Sequence, residues 1–161
     1  MKNRTVEIKW GVIFILVSLA WMVMERALGW HDENIADHAT YTNFFAIVAI
    51  AIYVFALRDK KNNFYQGQMT YKQGFISGVI LTLVVTIFTP LSQYITSTII
   101  TPDYFTNVIN YSVETQGYTQ EEAEEYFNLQ NYIIQSTIFA LIVGIITSAV
   151  VAIFVKSKKE S

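Results

Sequence analysis

TYKQGFISGVILTLVVTIFTPLSQYITSTIITP, residues 70–102, is the stretch that decides the fold. It contains no charged residue between Phe75 and Ile100. As a helix with a rise of ~1.5 Å per residue, this run is about 39 Å long, which exceeds the roughly 30 Å hydrocarbon core of a bilayer. The stretch therefore predicts a transmembrane helix, and it contains both prolines of the chain, Pro90 and Pro102.

Small side chains recur at every fourth residue of this helix, at Gly74, Gly78, Thr82 and Thr86. The last apolar run of the chain carries a ladder of the same period, which includes Ala140, Gly144 and Ser148. Small residues let the backbones of membrane helices approach closely. The two ladders therefore predict that these helices pack against each other. The second apolar run also has a face of mostly small residues, among them Thr42, Ala46 and Ala49, which suggests a further close contact.

Pro90 lies inside the long apolar run. It cannot donate a backbone hydrogen bond to the carbonyl of Thr86, so we expect a kink there. The kink has two interpretations that stay open at this point: a fixed bend, or a hinge for a moving outer half.

The composition places the chain in a membrane. The 161 residues are 53% hydrophobic and 15% charged, with a mean hydropathy of +0.35, and they allow a single domain over residues 1–161. The absence of cysteine excludes disulfides, thiolate metal sites and cysteine nucleophiles. Nucleotide-binding, metalloprotease and serine-hydrolase motifs are absent, as is a basic surface for nucleic acid. We therefore expect no cofactor and no nucleic-acid partner; the bilayer is the predicted surrounding.

Four apolar runs predict an all-α, membrane-spanning four-helix bundle. The spans are expected at about residues 10–28, 41–57, 74–100 and 132–155. Residues 102–131 are expected to form a short amphipathic helical segment on the outer side, with Gly117 as a helix stop. Thr119 and Glu122 have the spacing of a capping box, which starts a further helix.

Lysine and arginine predict the orientation. Ten of the eleven lie in the N-terminus, the linker of residues 58–72 or the C-terminal tail, and Arg26 is the exception. The connections of residues 29–40 and 103–131 contain nine of the thirteen acidic residues. Cytoplasmic loops of membrane proteins carry the excess of Lys and Arg. Both termini and the linker of residues 58–72 are therefore expected in the cytoplasm.

Glu25 is the most informative candidate site residue, because acids inside membrane spans are rare and commonly functional. Gln93, Gln135 and Asn43 are expected at a similar depth on the other three spans. These four residues predict a polar pocket in the outer half of the bundle. Two interpretations remain open: a ligand or ion pocket, or a polar contact that only holds the bundle together.

The first outer connection is a weaker candidate for a metal site. His31, Asp32, Glu33, Asp37 and His38 are crowded into it. Imidazole and carboxylate groups suit a divalent metal such as zinc. The spacing matches no defined motif, so a solvated polar loop is the alternative.

Several stretches resemble a family of small bacterial inner-membrane proteins known as domain-of-unknown-function family 4199. They are TNFFAIVAIAIYVFALRDK (42–60), MTYKQGFISGVILTLVVTIFTPLSQYI (69–95), YTQEEAEEYF (118–127) and IIQSTIFALIVGIITSAVVAIF (133–154). The resemblance implies a four-helix integral membrane protein. It implies no activity, substrate or catalytic residue.

Three functions are compatible with these features. The first is a non-enzymatic protein that acts by association, as a homo-oligomer or an accessory subunit of another membrane protein, which the small-residue ladders favour. The second is a ligand- or ion-handling sensor or transporter protomer, which the outer polar residues favour. A membrane enzyme is the weakest, because no nucleophile–base pair is visible in the sequence.

The predicted topology can be tested by labelling single cysteines on intact spheroplasts with an impermeant reagent. Cysteines at Asn34 and Gln116 should react, because these positions are expected outside. Cysteines at Asn63 and Ser157 should react after permeabilisation alone. Labelling of either inner position on intact spheroplasts would contradict the orientation.

Overall fold

The computed structural model describes residues 4–157. Over that range the chain is helical and has no strand, which confirms the predicted all-α class. Residues 1–3 and 158–161 lie outside the described residues, and so do three of the basic residues used for the orientation, Lys2, Lys158 and Lys159.

The helices of the described chain follow one another in the order α1 (Thr5–Ala27), α2 (Ile35–Tyr41), α3 (Phe45–Asn63), α4 (Tyr71–Ile95), α5 (Tyr104–Thr115), α6 (Gln120–Tyr126) and α7 (Leu129–Val155). A 3₁₀ turn (Thr42–Phe44) joins α2 to α3, and a π turn (Thr96–Ile100) extends α4. Four stretches are long and apolar enough to cross a membrane: Thr5–Ala27, Ile35–Asn63, Tyr71–Ile100 and Leu129–Val155. The number of spans therefore agrees with the sequence prediction.

The helices extend beyond the predicted spans. The first begins at Thr5 rather than at residue 10, so Glu7 and Lys9 are helical. The connection after α1 is not all loop, because α2 forms within it. We call the end of the bundle at which α1 finishes the outer end, and the opposite end the inner end.

A buried ion pair joins three helices at the inner end. The Lys60 ammonium on α3 lies 3.0 Å from Oε1 of Glu7 on α1, and both side chains are 2% exposed. The hydroxyl of Ser77 on α4 donates to the same carboxylate oxygen at 2.9 Å. Because a buried charge is costly without a partner, this pair fixes the relative positions of α1, α3 and α4.

The closest helix contact is between α4 and α7, where the two small-residue ladders meet. A Cβ placed on Gly78 would lie 2.6 Å from the Cβ of Ser148, so only glycine fits. A Cβ on Gly74 would lie 3.3 Å from the Cβ of Ala152. Thr82 bridges the contact, with its hydroxyl 3.3 Å from the Ser148 hydroxyl. Towards the outer end, Thr86 and Ala140 are partly buried.

Pro90 does not end its helix. The chain stays α-helical from Tyr71 to Ile95, and the hydroxyl of Thr89 donates to the Val85 carbonyl at 2.9 Å. The Thr86 hydroxyl is buried without a partner among the described residues. The irregular backbone appears further on, as the π turn that ends this span.

The outer helices α5 and α6 begin and end largely as their local sequence indicates. Gly117 follows α5 with φ of 77°, a conformation that favours glycine. Thr119 and Glu122 form both hydrogen bonds of the capping box at the start of α6. The Thr119 N–H and hydroxyl both donate to the Glu122 carboxylate, which lowers the pKa of this exposed carboxyl. The segment was also predicted to be amphipathic. In the structure, Tyr104, Val108 and Ser112 of α5 are its buried residues.

The α4–α7 contact predicts that Gly144→Leu destabilises the protein far more than Val143→Leu. Any side chain at Gly144 would collide with Thr82 and with the Tyr53 hydroxyl, whereas Val143 is 39% exposed. Overpacking of this kind costs about 3 kcal/mol. Thermal unfolding in detergent measures the difference. Equal melting temperatures for the two variants would contradict the packing.

Candidate functional site

Glu25 lies in the last turn of α1 and its side chain is 0% exposed. The indole N–H of Trp21, one turn earlier, donates to its Oε1 at 2.5 Å. Two imidazoles meet the other oxygen: His31 Nε2 is 3.0 Å and His38 Nε2 is 3.4 Å from Oε2. One buried carboxylate oxygen is thus shared by two histidines, and we call Glu25, His31 and His38 the outer cluster.

The chain reaches this arrangement through a tight reversal after α1. Gly29 has φ of 74°, a left-handed conformation that glycine adopts without strain. The Trp30 N–H bonds back to the Glu25 carbonyl at 3.1 Å, which folds the connection over the end of α1. His31 follows directly, and α2 then carries His38 to the same carboxylate.

Helix α5 covers the outer cluster. The Tyr104 hydroxyl lies 3.3 Å from Nδ1 of His38 and 3.2 Å from the hydroxyl of Tyr132 on α7. The Asn107 amide donates to the backbone carbonyl of His31 at 3.0 Å. Burial raises the pKa of the Tyr104 phenol, and Tyr132 and Glu25 raise it further. Tyr104 therefore stays a neutral hydroxyl, able to orient the His38 ring by a hydrogen bond.

The outer cluster has the donor set and the spacing of a metal site. The three potential ligand atoms all lie within 4.8 Å of one another. With zinc–ligand bonds of roughly 2.0–2.2 Å, ligand atoms around a tetrahedral ion are about 3.3–3.6 Å apart. The distance from His38 Nε2 to Oε2 of Glu25, 3.4 Å, lies in this range, whereas that from His31 Nε2, 3.0 Å, is shorter and is that of a hydrogen bond. Two histidines and one carboxylate form a known set for zinc and for iron(II), and they leave a coordination position open.

One polar atom of the outer cluster remains unexplained. Nδ1 of His31 is buried and has no hydrogen-bond partner in the described part of the chain. Such a group is costly unless a partner is present. With its Nε2 directed at Glu25, the His31 ring leaves Nδ1 as the atom that a bound water would satisfy.

The four residues of the predicted outer pocket do not form a single site. Glu25 bonds to Trp21 and the two histidines, not to the three amides. The Asn43 amide donates to the Ala39 carbonyl at 2.6 Å, and that of Gln93 donates to the Ser97 hydroxyl at 3.0 Å. Gln135 is exposed on α7. Asn43 and Gln93 do border the same cavity.

Two of the five residues in the loop metal hypothesis lie close together in the structure. His31 and His38 enter the outer cluster, whereas Asp32, Glu33 and Asp37 are exposed. The third residue of the outer cluster is Glu25, which was predicted to line the outer polar pocket instead. The supporting residues Trp21, Tyr104 and Tyr132 were missed, although Trp21 could have been found from its spacing of four residues to Glu25 on one helix.

Arg26, which follows Glu25, points away from the outer cluster. Its guanidinium donates to the Ile100 carbonyl in the π turn that ends the third span. This contact ties the end of α1 to the end of α4 and leaves the Glu25 carboxylate to its imidazole partners.

Comparison with known proteins gives a family and no activity. Neither a curated protein nor a solved structure matches the chain. A family model described as "Protein of unknown function (DUF4199)" matches residues 9–157, which include the outer cluster and all four spans except the first residues of α1. The chain belongs to this family of proteins of unknown function.

Proposed function

We propose that this protein binds a divalent transition-metal ion, with zinc as the first candidate, through Glu25, His31 and His38. The observation that carries the proposal is the convergence of three ligand atoms from α1, the following turn and α2 on one buried point. A carboxylate with two neutral imidazoles gives a charge of −1, which a divalent cation more than balances. Tyr104 holds the His38 ring from its far side, and such partners fix the orientation of histidine ligands.

We further propose that the site faces the outside of a bacterial inner membrane, with both termini in the cytoplasm. The distribution of lysine and arginine supports this orientation. The ion would then be taken from the extracytoplasmic side, at the membrane surface. Such a position suits a receptor or accessory subunit that responds to metal.

We favour a binding role over catalysis and over self-association. Helix α5 and the buried position of the outer cluster limit the access of a substrate to the open coordination position. The ladder residues Gly74, Gly78, Gly144 and Ser148 are buried inside the chain, in the α4–α7 contact. They therefore offer no surface for pairing with a second copy. The small-residue ladders, which favoured association in the sequence, instead stabilise the fold of the single chain.

Zinc titration of the purified, chelator-treated protein tests the proposal. We expect one Zn²⁺ per chain, and at least about 100-fold weaker binding for His31→Gln and for His38→Gln, because each removes a ligand. Tyr104→Phe should weaken binding about tenfold, because it removes only the partner that orients a ligand. Asp32→Asn and Asp37→Asn are matched controls, because these exposed acids are sequence neighbours of the two histidines. Zinc binding by the His31→Gln/His38→Gln double variant at wild-type strength would refute the site.

A stability series at Glu25 separates a metal site from a contact that only holds the fold. In chelator, Glu25→Leu should cost about 3 kcal/mol, because it leaves the Trp21 N–H and two imidazoles without their acceptor. Glu25→Gln retains an acceptor oxygen and should be milder, yet it should lose zinc binding. Glu33→Leu, an exposed position in the same connection, is the control. A Glu25→Leu variant as stable as wild type would show that the carboxylate is not buried in this cluster.

A further inference from the structure

A second candidate site lies deeper in the bundle, in a cavity of about 370 Å³ bordered by residues of α1, α3, α4 and α7. This volume falls within the range of roughly 300–1,000 Å³ that is usual for small-molecule sites. Its inner part is bordered by Phe14, Tyr53 and Val85. Its outer part is bordered by Asn43, Ser92 and Gln93. The residues of the outer cluster do not border it, so the two candidate sites are separate.

Small residues create this space. Ala46 and Ala49 of α3 border the cavity, and so does Ala140 of α7. Both helices therefore present small side chains to a volume that larger ones would fill. The small-residue ladder of α7 packs tightly against α4 at Ser148, whereas at Ala140 it borders the cavity. The cavity thus results from small residues on two helices, not from one poorly packed side chain.

The cavity is open sideways, between α3 and α7. Ala46 and Asn43 are exposed on one side of the opening, and Phe139 is 67% exposed on the other. These residues belong to the membrane-spanning stretches Ile35–Asn63 and Leu129–Val155. A molecule dissolved in the bilayer could enter by this path without crossing water.

Polar groups at the outer part of the cavity need partners. Within residues 4–157, the Gln93 side chain makes one hydrogen bond, through Nε2 to Ser97, and a primary amide can make about four. Among the same residues, the Asn43 side chain makes one hydrogen bond, to the Ala39 carbonyl. Polar groups surrounded by hydrocarbon are costly when unpaired. The two amides therefore favour an occupant with oxygen atoms at its outer end.

The occupant should be uncharged. Among the described residues, those that border the cavity include no Asp, Glu, Lys, Arg or His. A charged head group would have no counter-charge there, and an unpaired charge inside a membrane is expensive. The polar outer part and the apolar inner part together match a molecule with a neutral head and a hydrocarbon tail.

We propose that this cavity binds an uncharged amphipathic lipid, whose head oxygens bond to the Gln93 and Asn43 amides and whose tail packs against Phe14 and Val85. Two sources share this chemistry, an acylglycerol and an isoprenoid quinone. The proposal does not depend on metal binding, so the experiment is done in chelator and its result is independent of the zinc titration.

Native mass spectrometry of the full-length, delipidated protein in detergent tests the proposal with monoolein, decylubiquinone and oleate as probes. We expect one equivalent of an uncharged probe to bind and oleate, which is anionic, to bind at least tenfold more weakly. Preference for monoolein identifies an acylglycerol site, and preference for decylubiquinone identifies a quinone site.

Three variants locate the binding. Ala140→Phe should fill the cavity and reduce binding at least tenfold, whereas Ile142→Phe, at an exposed position of the same helix, should not. Gln93→Leu keeps the size of the side chain and removes the head-group contact, so binding should weaken about tenfold with the fold retained. Failure of both uncharged probes to bind, stronger binding of oleate, or wild-type binding by both Ala140→Phe and Gln93→Leu would overturn the proposal.

Discussion

The contact between α4 and α7 is the interaction on which the rest of the bundle depends. Lipid is as apolar as leucine, so helices in a membrane associate through close packing and hydrogen bonds. Gly78 brings the two backbones together at Ser148, and Thr82 bonds to both Ser148 and the Tyr53 hydroxyl of α3. On its other side α4 receives α1, where a Cβ on Gly11 would lie 2.9 Å from the Cβ of Val84. The position of α4 thus determines where the other three spans can lie.

Buried carboxylates near both ends of α1 add a second constraint, because each requires a partner from elsewhere in the chain. Glu7 is paired with Lys60 at the inner end, and Glu25 with two histidines at the outer end. The two kinds of partner differ in whether they can ligate a metal ion. An ammonium group is a permanent cation with no lone pair for a metal, whereas a neutral imidazole can ligate one. The inner pair is therefore a fixed structural contact, and the outer cluster is the one whose donor atoms suit the proposed metal ion.

The sequence was sufficient for the fold class, the number of spans and the capping box at Thr119, because these depend on local composition and spacing. Glu25 also stood out, since a charge at that depth is unusual. Its partners did not, because His31 and His38 match no motif and meet only after Gly29 reverses the chain. Small residues were equally ambiguous: Gly78 marks a close contact, whereas Ala46 and Ala140 line a cavity. A small residue gives a close contact where two helices approach each other and a cavity where they diverge. The distance between the helices is set by the whole bundle, so the local sequence does not determine it.

The outer cluster and the cavity both involve α1: Glu25 lies in its last turn, and Met22, one turn earlier, borders the cavity. Trp21 donates to Glu25, and its ring lies 5.6 Å from that of Phe45, which borders the cavity. Coupling between two sites requires an element that differs between their states, and it acts equally in both directions. The Trp21–Phe45 contact is the direct connection between the carboxylate and the cavity wall. If both proposed ligands bind, a lipid that displaced Phe45 would change metal affinity through this contact, and a metal that moved Trp21 would change lipid affinity by the same factor.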